Sequence, residues 1–252
     1  AVAQPLPGAR GDVIFDLDGT PPDIGFPDAR LAESDPNGLL AIGGDLSLER
    51  LLEAYARGVF PWYSHGQPIL WWSPAPRMVL YPGELHVSRS LRRSLRRRGY
   101  EISVNQSFEA VIRACAAPRA AHPGTWLVPE MISAYIVLHE AGYAHSIEVW
   151  LDEILVGGLY GVALGQVFFG ESMFSRQTDA SKAAMSLLAE IATEHPFQLI
   201  DCQVHTGHLA SLGAREIDRE LFQRSVHSAI RATAPALGRR GRRPAAELRY
   251  AA

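Results

Sequence analysis

The chain has 252 residues, of which 47% are hydrophobic and 20% are charged, and its formal net charge is −3. These proportions are typical of a folded globular protein and exclude intrinsic disorder, collagen and coiled coil for most of the chain. No apolar run reaches the ~18–20 residues of a membrane span, and two cysteines are too few for a disulfide framework, so we expect a cytoplasmic protein without a membrane partner.

Changes in composition along the chain predict four segments. Residues 1–24 are rich in Pro, Gly and Asp, and we expect them to form a flexible extension. Residues 25–85 are expected to form a small N-terminal domain, and residues 86–232 a larger α+β domain. Residues 233–252 are expected to be a disordered basic tail because they contain several arginines.

Two features characterise the small N-terminal domain. Apolar residues recur at helical spacing over 48–57, and Gly58 can end the helix that this spacing predicts. Residues 59–77 then combine several prolines with three tryptophans, Trp62, Trp71 and Trp72, which predicts an ordered but irregular loop. Aromatic faces can stack on unpaired bases, although the packing of a small core is the simpler interpretation of tryptophans.

The hydrophobic pattern of the larger domain changes between the helical and the strand period. In chain order it predicts a helix at 107–117, a helix from Pro129 to Gly142, strands at 145–150, 154–162 and 166–170, a helix at 180–194, a strand at 197–204 and a helix at 218–230. This order is typical of an α+β domain.

A basic run at residues 88–98 holds six arginines and no acidic residue. On a helix, most of these arginines can lie on one side. Such a cluster favours a polyanionic partner such as a nucleic acid, whereas a solvated helix face is the other interpretation. The candidate contacts are Arg89, Arg92, Arg93, Arg96 and Arg97.

Two groups of polar residues are candidates for chemistry. Strand alternation places Asp201 and Gln203 on one face of the strand at 197–204, where buried polar groups are costly unless they are paired or functional. Glu171, in the sequence GESMFSR at 170–176, follows an apolar strand, a position where loops often carry function. An edge strand with a wet face and a Glu–Arg surface pair are the alternative interpretations.

Nine sequence blocks occur in the order found in one family of enzymes. From residue 26 to about residue 230 the chain resembles the leucyl/phenylalanyl-tRNA–protein transferases. The blocks are DPNGLLAIGGDLS (35–47), GVFPWYS (58–64), ILWWSP (69–74), GTW (124–126), HSIEVW (145–150), VGGLYGV (156–162), GESMFSR (170–176), LIDCQV (199–204) and HLASLGA (208–214). The resemblance implies a small N-terminal domain followed by an acetyltransferase-like domain of the GNAT type.

The resemblance also implies an activity and its partners. Members of the family transfer Leu or Phe from aminoacyl-tRNA to proteins that begin with Arg or Lys, which are then degraded. The catalytic positions fall on Asp201, Gln203 and Glu171. Those that hold the aminoacyl-adenosine fall on Trp62 and Trp126, and the basic run is then expected to contact tRNA phosphates. The pocket for the Leu or Phe side chain falls on Leu159, Phe168 and Leu188.

No metal or cofactor is expected for this reaction because the aminoacyl ester is already activated. The histidine spacings match no zinc signature. An acyl-CoA-dependent N-acyltransferase of the GNAT type is the alternative enzyme. The loop R/Q-x-x-G-x-G/A, which binds the CoA pyrophosphate in such enzymes, is absent from this sequence. A tRNA-binding module without catalysis is the third possibility, and it would tolerate loss of Asp201.

Overall fold

The computed structural model describes residues 4–7, 13–22, 25–117, 127–233 and 237–251. The strands are β1 Gln4–Pro7, β2 Val13–Asp16, β3 Leu39–Ile42, β4 Phe60–Pro61, β5 Leu70–Trp72, β6 Arg77–Leu80, β7 Glu101–Val104, β8 Ala144–Leu151, β9 Ile154–Leu164, β10 Val167–Ser175, β11 Leu199–Gln203, β12 Arg215–Ile217 and β13 Arg240–Pro244. The α-helices are α1 Leu48–Ala56, α2 Arg89–Arg97, α3 Phe108–Ala116, α4 Pro129–Glu140, α5 Ala180–Glu194, α6 Gly207–Ser211 and α7 Arg219–Ala229.

The described strands form two sheets. A five-stranded sheet in the N-terminal part has the order β1-β2-β3-β5-β4, and an eight-stranded sheet has the order β12-β6-β11-β10-β9-β8-β7-β13. Neighbouring strands of the larger sheet are antiparallel, except that β10 and β11 are parallel. The predicted α+β class with a small N-terminal domain is therefore confirmed.

The eight-stranded sheet is covered on both faces. In β9, Tyr160 and Val162 belong to a core shared with α1, α3, α4 and α7, whereas Leu159 and Ala163 belong to a core shared with α2, α5 and α6. This alternation is the period of two that a strand imposes on its side chains. Among the residues that the structure describes, no helix has both the length and the hydropathy needed to cross a membrane.

Local signals explain the elements that were predicted correctly. Helix α1 begins after Ser47, whose hydroxyl accepts a hydrogen bond from the Arg50 amide, and the chain leaves the helix at Gly58 with a φ of +68°. The turn between β8 and β9 has Asp152 and Glu153, both at positive φ, as the twist of a two-residue hairpin requires. The helix predicted at 180–194 is α5.

Several short, largely buried strands were missed. Strands β3 and β7 were not predicted, and the loop predicted at 59–77 contains β4, β5 and the first residue of β6. All four residues of β6 are buried. A strand that is buried on both faces lacks the alternation of apolar and polar residues from which a strand is predicted. Because β6 lies between β11 and β12, residues 77–80 belong to the larger sheet, although they lie within the segment 25–85 assigned to the small domain.

The segment at 1–24, predicted to be a flexible extension, contains ordered structure where it is described. Strand β1 pairs with β2, and β2 pairs in parallel with β3 of the five-stranded sheet. Phe15 and Leu17 are buried, and Asp18 Oδ1 accepts a 2.8 Å hydrogen bond from the Gly44 amide. The apolar side chains within this short stretch therefore add to the core of the N-terminal sheet.

The segment at 233–252 also differs from the predicted disordered tail. Strand β13 pairs with β7, and Leu237 and Leu248 are buried. Arg240, Arg242 and Arg243 between them form ion pairs. The Arg242 guanidinium lies 2.6 Å from a Glu153 carboxylate oxygen and 4.0 Å from the centre of the Trp150 ring. Apolar anchors and acidic neighbours hold this segment against the sheet, and arginine content alone does not reveal either.

Candidate active site

A cavity opens where β10 and β11 separate. The two strands pair in parallel from Val167 and Leu199 to Phe169 and Asp201, and their pairing ends there. Beyond this point β10 has a bulge in its pairing with β9, and β11 has one in its pairing with β6. The resulting cavity has a volume of about 680 Å³ and is lined by residues of both strands.

One part of the cavity is apolar. Leu159, Phe168 and Leu188, which were predicted to hold an aliphatic or aromatic side chain, all line the cavity. They come from β9, β10 and α5, and each is nearly fully buried. Met185 and Ile200 add further apolar surface. The structure therefore brings together the three residues predicted for this pocket.

Glu171 lies within a strand, where the sequence predicted a loop. The strand predicted to end at residue 170 continues to Ser175, because a bulge between Gly170 and Ser172 keeps β10 paired with β9. Glu171 is the residue that the bulge leaves out of this pairing. Glu171 lines the cavity and is 9% exposed. Burial raises the pKa of Glu171 to about 7, against the effect of hydrogen bonds from two tyrosines.

The Glu171 carboxylate accepts three hydrogen bonds. Tyr55 Oη lies 2.8 Å from Oε1, and Tyr135 Oη lies 2.9 Å from Oε2. Gln203 Nε2 donates to Oε1 at 2.9 Å. Four elements, α1, α4, β10 and β11, therefore meet at this one carboxyl group.

Asp201 is held by a residue that the sequence analysis did not consider. Arg77 Nε and Nη2 donate to the two Asp201 carboxylate oxygens at 2.8 and 2.6 Å. Asp201 Oδ1 also accepts a 2.9 Å hydrogen bond from the Gln203 backbone amide. Asp201 lines the cavity, but its carboxylate is used to fix the end of β11.

Gln203 occupies an unusual backbone conformation. Its φ is +61°, in the left-handed region that few residues other than glycine adopt, and it lies at the bulge of β11. The hydrogen bond from its amide to Asp201 and that from its side chain to Glu171 hold it there. Strain of this kind is often found at functional sites. The structure thus places Asp201, Gln203 and Glu171 at one cavity, and their catalytic roles stay a prediction.

Trp62 and Trp71 have opposite environments. Trp62 is 42% exposed and lines the cavity, whereas Trp71 is fully buried and donates from Nε1 to the Gly43 carbonyl. The Trp72 ring packs edge-on against Trp62 at 5.8 Å. Trp62 is thus an accessible aromatic face at the cavity, as predicted, and Trp126 lies outside the described residues.

The basic run forms helix α2, the conformation in which most of its arginines can lie on one side. Leu91, Ser94 and Leu95 face the core, and the predicted contact arginines are all exposed: Arg89, Arg92, Arg93, Arg96 and Arg97. Arg96 Nε donates to the Ala251 carbonyl, so this arginine also anchors the last described residues. The helix therefore presents a positively charged face to solvent.

Sequence reasoning missed three residues of this site, Tyr55, Tyr135 and Arg77. Tyr55 belongs to the apolar face of the predicted helix at 48–57, where a tyrosine is an ordinary core residue. Arg77 is the last residue of the loop predicted at 59–77 and was not considered as a site residue. Tyr55 is 116 positions from Glu171, and Arg77 is 124 positions from Asp201. Only the fold brings these partners together.

Comparison with protein families shows which proteins the chain is similar to. The family model described as leucyl/phenylalanyl-tRNA protein transferase matches residues 79–227, and the model of that family's N-terminal domain matches residues 44–75. A leucyl/phenylalanyl-tRNA–protein transferase from Chromobacterium violaceum is 56% identical over 214 residues, which cover 85% of this chain and 92% of that protein. The corresponding protein from Cellvibrio japonicus is 58% identical over 207 residues, which cover 82% and 88%.

Solved structures give a more distant likeness. A GCN5-related N-acetyltransferase from Kribbella flavida is 14% identical with a TM-score of 0.33, covering 64% of this chain and 58% of that one. The structure of L-PGS from Bacillus licheniformis is 12% identical with a TM-score of 0.38, covering 67% and 54%. Scores this low support no inference, so the assignment depends on the sequence matches. These cover most of the chain at more than half identity, and the chain therefore belongs to the leucyl/phenylalanyl-tRNA–protein transferase family and is an aminoacyltransferase.

Proposed function

We propose that this protein transfers Leu or Phe from aminoacyl-tRNA to the N-terminal α-amine of proteins that begin with Arg or Lys. The reaction is aminolysis of the aminoacyl ester, and it marks the acceptor for degradation in the cytoplasm. The observation that carries the proposal is a single cavity in which an apolar pocket adjoins Glu171 and Gln203. The preference for Arg or Lys and the degradation of the product follow from the family resemblance.

The apolar pocket suits a leucine or phenylalanine side chain. Leu159, Phe168 and Leu188 offer it an almost entirely apolar surface. A hydrophobic pocket distinguishes side chains that differ by one methylene by only about 1–3 kcal/mol. We therefore expect Leu and Phe to be preferred over Val by size, whereas rejection of Ile requires close packing near the β-carbon.

The tRNA is expected to lie against Trp62 and helix α2. Trp62 offers an exposed aromatic face at the cavity, on which the terminal adenine can stack. The α2 arginines suit the phosphate backbone, and contacts to phosphates do not depend on the base sequence. This arrangement favours recognition of the aminoacyl-adenosine end together with a non-specific electrostatic contact to the rest of the tRNA.

Positioning is the main catalytic contribution that these residues offer. The ester is already activated, so the enzyme has to bring an amine to a carbonyl group, and juxtaposing two bound reactants supplies many kcal/mol. Asp201 is ion-paired with Arg77 and bonded to the Gln203 amide, so its role in this proposal is to fix Gln203. The Gln203 side chain then orients the amine or the ester carbonyl.

A transfer assay tests the proposal. The protein is incubated with radiolabelled Leu-tRNA and a peptide that begins with Arg, and we expect label in the peptide. A matched peptide that begins with Glu should remain unlabelled, and acetyl-CoA in place of Leu-tRNA should give no acetylated product. Transfer to neither peptide, or acetylation of the Arg peptide, would refute the proposal.

Gln203→Ala separates catalysis from binding in the same assay. Gln203 is partly exposed, and among its hydrogen bonds given above the variant removes only the one from its side chain to Glu171, so the fold and the affinity for tRNA should be retained. Because a small misplacement of a reacting group can cost about 100-fold in rate, we expect transfer to fall by roughly 10- to 100-fold. Unchanged turnover would remove Gln203 from the site.

A further inference from the structure

Three buried oxygen-bearing side chains form a closed triangle behind the cavity. Tyr55 Oη and Tyr135 Oη lie 2.5 Å apart, and each lies within 2.9 Å of a different oxygen of Glu171. Both tyrosines are fully buried. Hydroxyl groups in such a place are costly unless they are bonded, and here each hydroxyl makes two contacts.

Counting protons shows that this triangle suits both protonation states of Glu171. When Glu171 is ionised, each tyrosine donates its one proton to the carboxylate, as the geometry allows. When Glu171 takes up a proton, its carboxyl group can donate to the hydroxyl of one tyrosine. That tyrosine then donates its own proton to the hydroxyl of the second tyrosine, which still donates to Glu171. All three contacts then carry a proton, and no donor is left without an acceptor. Glu171 can therefore gain or lose a proton without moving its neighbours.

Several neighbouring groups raise or lower the pKa of Glu171. Burial raises its pKa to about 7, the Asp201 carboxylate acts in the same direction, and Arg77 opposes it. The two tyrosine hydrogen bonds also lower the pKa because they favour the charged form. The Tyr160 hydroxyl also interacts electrostatically with Glu171, and Gln203 contributes an uncharged amide.

We propose that Tyr55 and Tyr135 are positioning residues that hold Glu171 beside Gln203 as the proton acceptor of the transfer step. This assignment rests on the proposed function. The neutral amine of the acceptor attacks the ester carbonyl, the new C–N bond forms, and the extra proton on nitrogen passes to Glu171. The C–O bond to the ribose then breaks, and the ribose oxygen takes that proton, so Glu171 ends in its initial state.

The match between proton donor and acceptor supports this assignment. The proton leaves the nitrogen once the C–N bond forms. Whatever the acidity of the nitrogen at that point, a carboxyl group with a pKa near 7 accepts the proton with an equilibrium constant roughly 10³ larger than one with the ordinary aspartate pKa of about 3.9. Among the carboxyl groups that line the cavity, Glu171 is thus suited to the task, and Asp201 is occupied by Arg77.

The N-terminal domain takes part in this arrangement. Tyr55 lies on α1, which precedes the larger sheet in the chain, whereas Glu171 lies on β10. The hydroxyl of Tyr55 is bonded to both Tyr135 and Glu171. The small domain therefore supplies a group to the catalytic site in addition to the exposed face of Trp62.

Infrared titration of the full-length protein tests the assignment without substrate. The carboxyl band of Glu171 is isolated as the difference between the protein and its Glu171→Gln variant, and we expect it to titrate near pH 7. Tyr55→Phe and Tyr135→Phe each remove a charge-assisted donor from the carboxylate, while the remaining tyrosine still serves the protonated form. The midpoint should rise by about one unit in each variant.

Tyr160→Phe is the matched control. Tyr160 is also fully buried, its ring packs edge-on against Tyr135 at 5.5 Å, and its hydroxyl makes no hydrogen bond within the described residues. The Tyr160→Phe variant therefore loses a buried hydroxyl close to the other two tyrosines without losing a hydrogen bond to Glu171. We expect its titration midpoint to equal that of the unsubstituted protein.

Activity gives the second measurement. A one-unit rise lowers the ionised fraction of Glu171 at pH 7 from about half to about a tenth. Transfer by either tyrosine variant should then fall about fivefold at pH 7 and recover at pH 9. The ionisation of the peptide amine is common to all variants and cancels in the ratio.

The outcomes separate this inference from the proposed function. A Glu171 band that titrates below pH 5, or a midpoint that both tyrosine variants leave unchanged, would overturn the inference even if transfer to the Arg peptide occurs. Shifted midpoints in a protein that transfers nothing would refute the proposed function and leave the hydrogen-bond assignment standing. Variants that lose transfer equally at pH 7 and pH 9 would refute the role of Glu171 as proton acceptor.

Discussion

Arg77 and Asp201 face each other across β6 and β11 as a buried ion pair with two parallel hydrogen bonds, of 2.8 and 2.6 Å. Their side chains are 1% and 0% exposed. The Arg77 guanidinium also lies 4.8 and 4.5 Å from the ring centres of Phe60 and Phe222. The pair thus joins two neighbouring strands of the larger sheet, and its guanidinium also contacts Phe60 of the smaller sheet.

Asp201→Ala should therefore lower stability as well as transfer. The substitution leaves the Arg77 charge buried without a counter-charge, and breaking a buried pair in this way costs about 3–5 kcal/mol. Chemical denaturation measures the free energy of unfolding. A variant with unchanged stability would contradict the structural role of this pair.

The double variant Arg77→Met with Asp201→Leu is the control for that prediction. Replacing both charges by apolar groups is often neutral for stability, so the double variant should be more stable than Asp201→Ala. It should still fail to transfer Leu, because the Gln203 amide has lost its acceptor. Recovery of transfer in the double variant would show that Asp201 does not position Gln203.

Trp62→Ala should weaken binding of aminoacyl-adenosine and change stability little. Trp62 is partly exposed at the cavity, and loss of one base stack costs about 1–3 kcal/mol of binding. The matched variant is Trp71→Ala, in which a fully buried ring is removed at a cost of about 3–5 kcal/mol of stability. Equal losses of stability in both variants would make Trp62 a core residue and refute the stacking role.

The triple variant Arg89→Gln, Arg93→Gln and Arg97→Gln should bind tRNA more weakly and with less dependence on salt. These arginines recur every fourth residue and share one side of α2. Each lost phosphate contact should reduce the slope of log affinity against log salt by about one. Binding at several salt concentrations measures the slope.

The control removes the same charge from arginines that are already paired. Arg30, Arg113 and Arg224 form ion pairs with Asp28, Glu109 and Glu220 on other surfaces, and all three are replaced by Gln. We expect a smaller change of slope in this protein. Equal slopes of log affinity against log salt for both triple variants would mean that α2 is an ordinary solvated helix that does not contact tRNA.

Glu171→Gln should change how stability depends on pH. Burial raises the pKa of Glu171 from 4.5 to about 7, so the folded protein binds the proton more tightly than the unfolded chain. The stability that this group contributes is fully present below about pH 4.5 and is lost as the pH rises through 7. The free energy of unfolding of the variant minus that of the unsubstituted protein should increase by about 3 kcal/mol between pH 4.5 and 8.

Denaturation at both pH values provides the measurement. Taking the difference between the two proteins cancels His145, whose pKa burial lowers to about 4 and which acts in the opposite direction. A difference that does not change with pH would mean that Glu171 has an ordinary pKa in the folded protein.

Sequence patterns predicted the elements that are encoded by neighbouring residues. The cap at Ser47 and the exit at Gly58 define α1, and the positive φ values at Asp152 and Glu153 define the turn between β8 and β9. Such signals lie within a few residues of one another. The α+β class follows from the order of these elements, which is why it was predicted correctly.

The remainder of the site is encoded over long distances. The bulges next to Glu171 and Gln203 depend on how β9 and β6 pair with their strands, and no residue within β10 or β11 specifies them. The tyrosine pair joins α1 to α4, and Tyr55 is 80 positions from Tyr135. Polar residues in apolar strands therefore indicated where the site is, whereas the partners that set its charge state were visible only in the fold.

Strand β6 is synthesised long before β11 and β12, between which it lies in the sheet. Its residues, 77–80, leave the ribosome more than 100 residues before residues 199–203 of β11. At about 5–20 residues per second, this delay lasts roughly 5–25 seconds. Met78, Val79 and Leu80, buried in the finished protein, have no sheet to join during that interval. During that interval the nascent chain therefore carries an apolar segment whose partner strands in the sheet have not yet been synthesised.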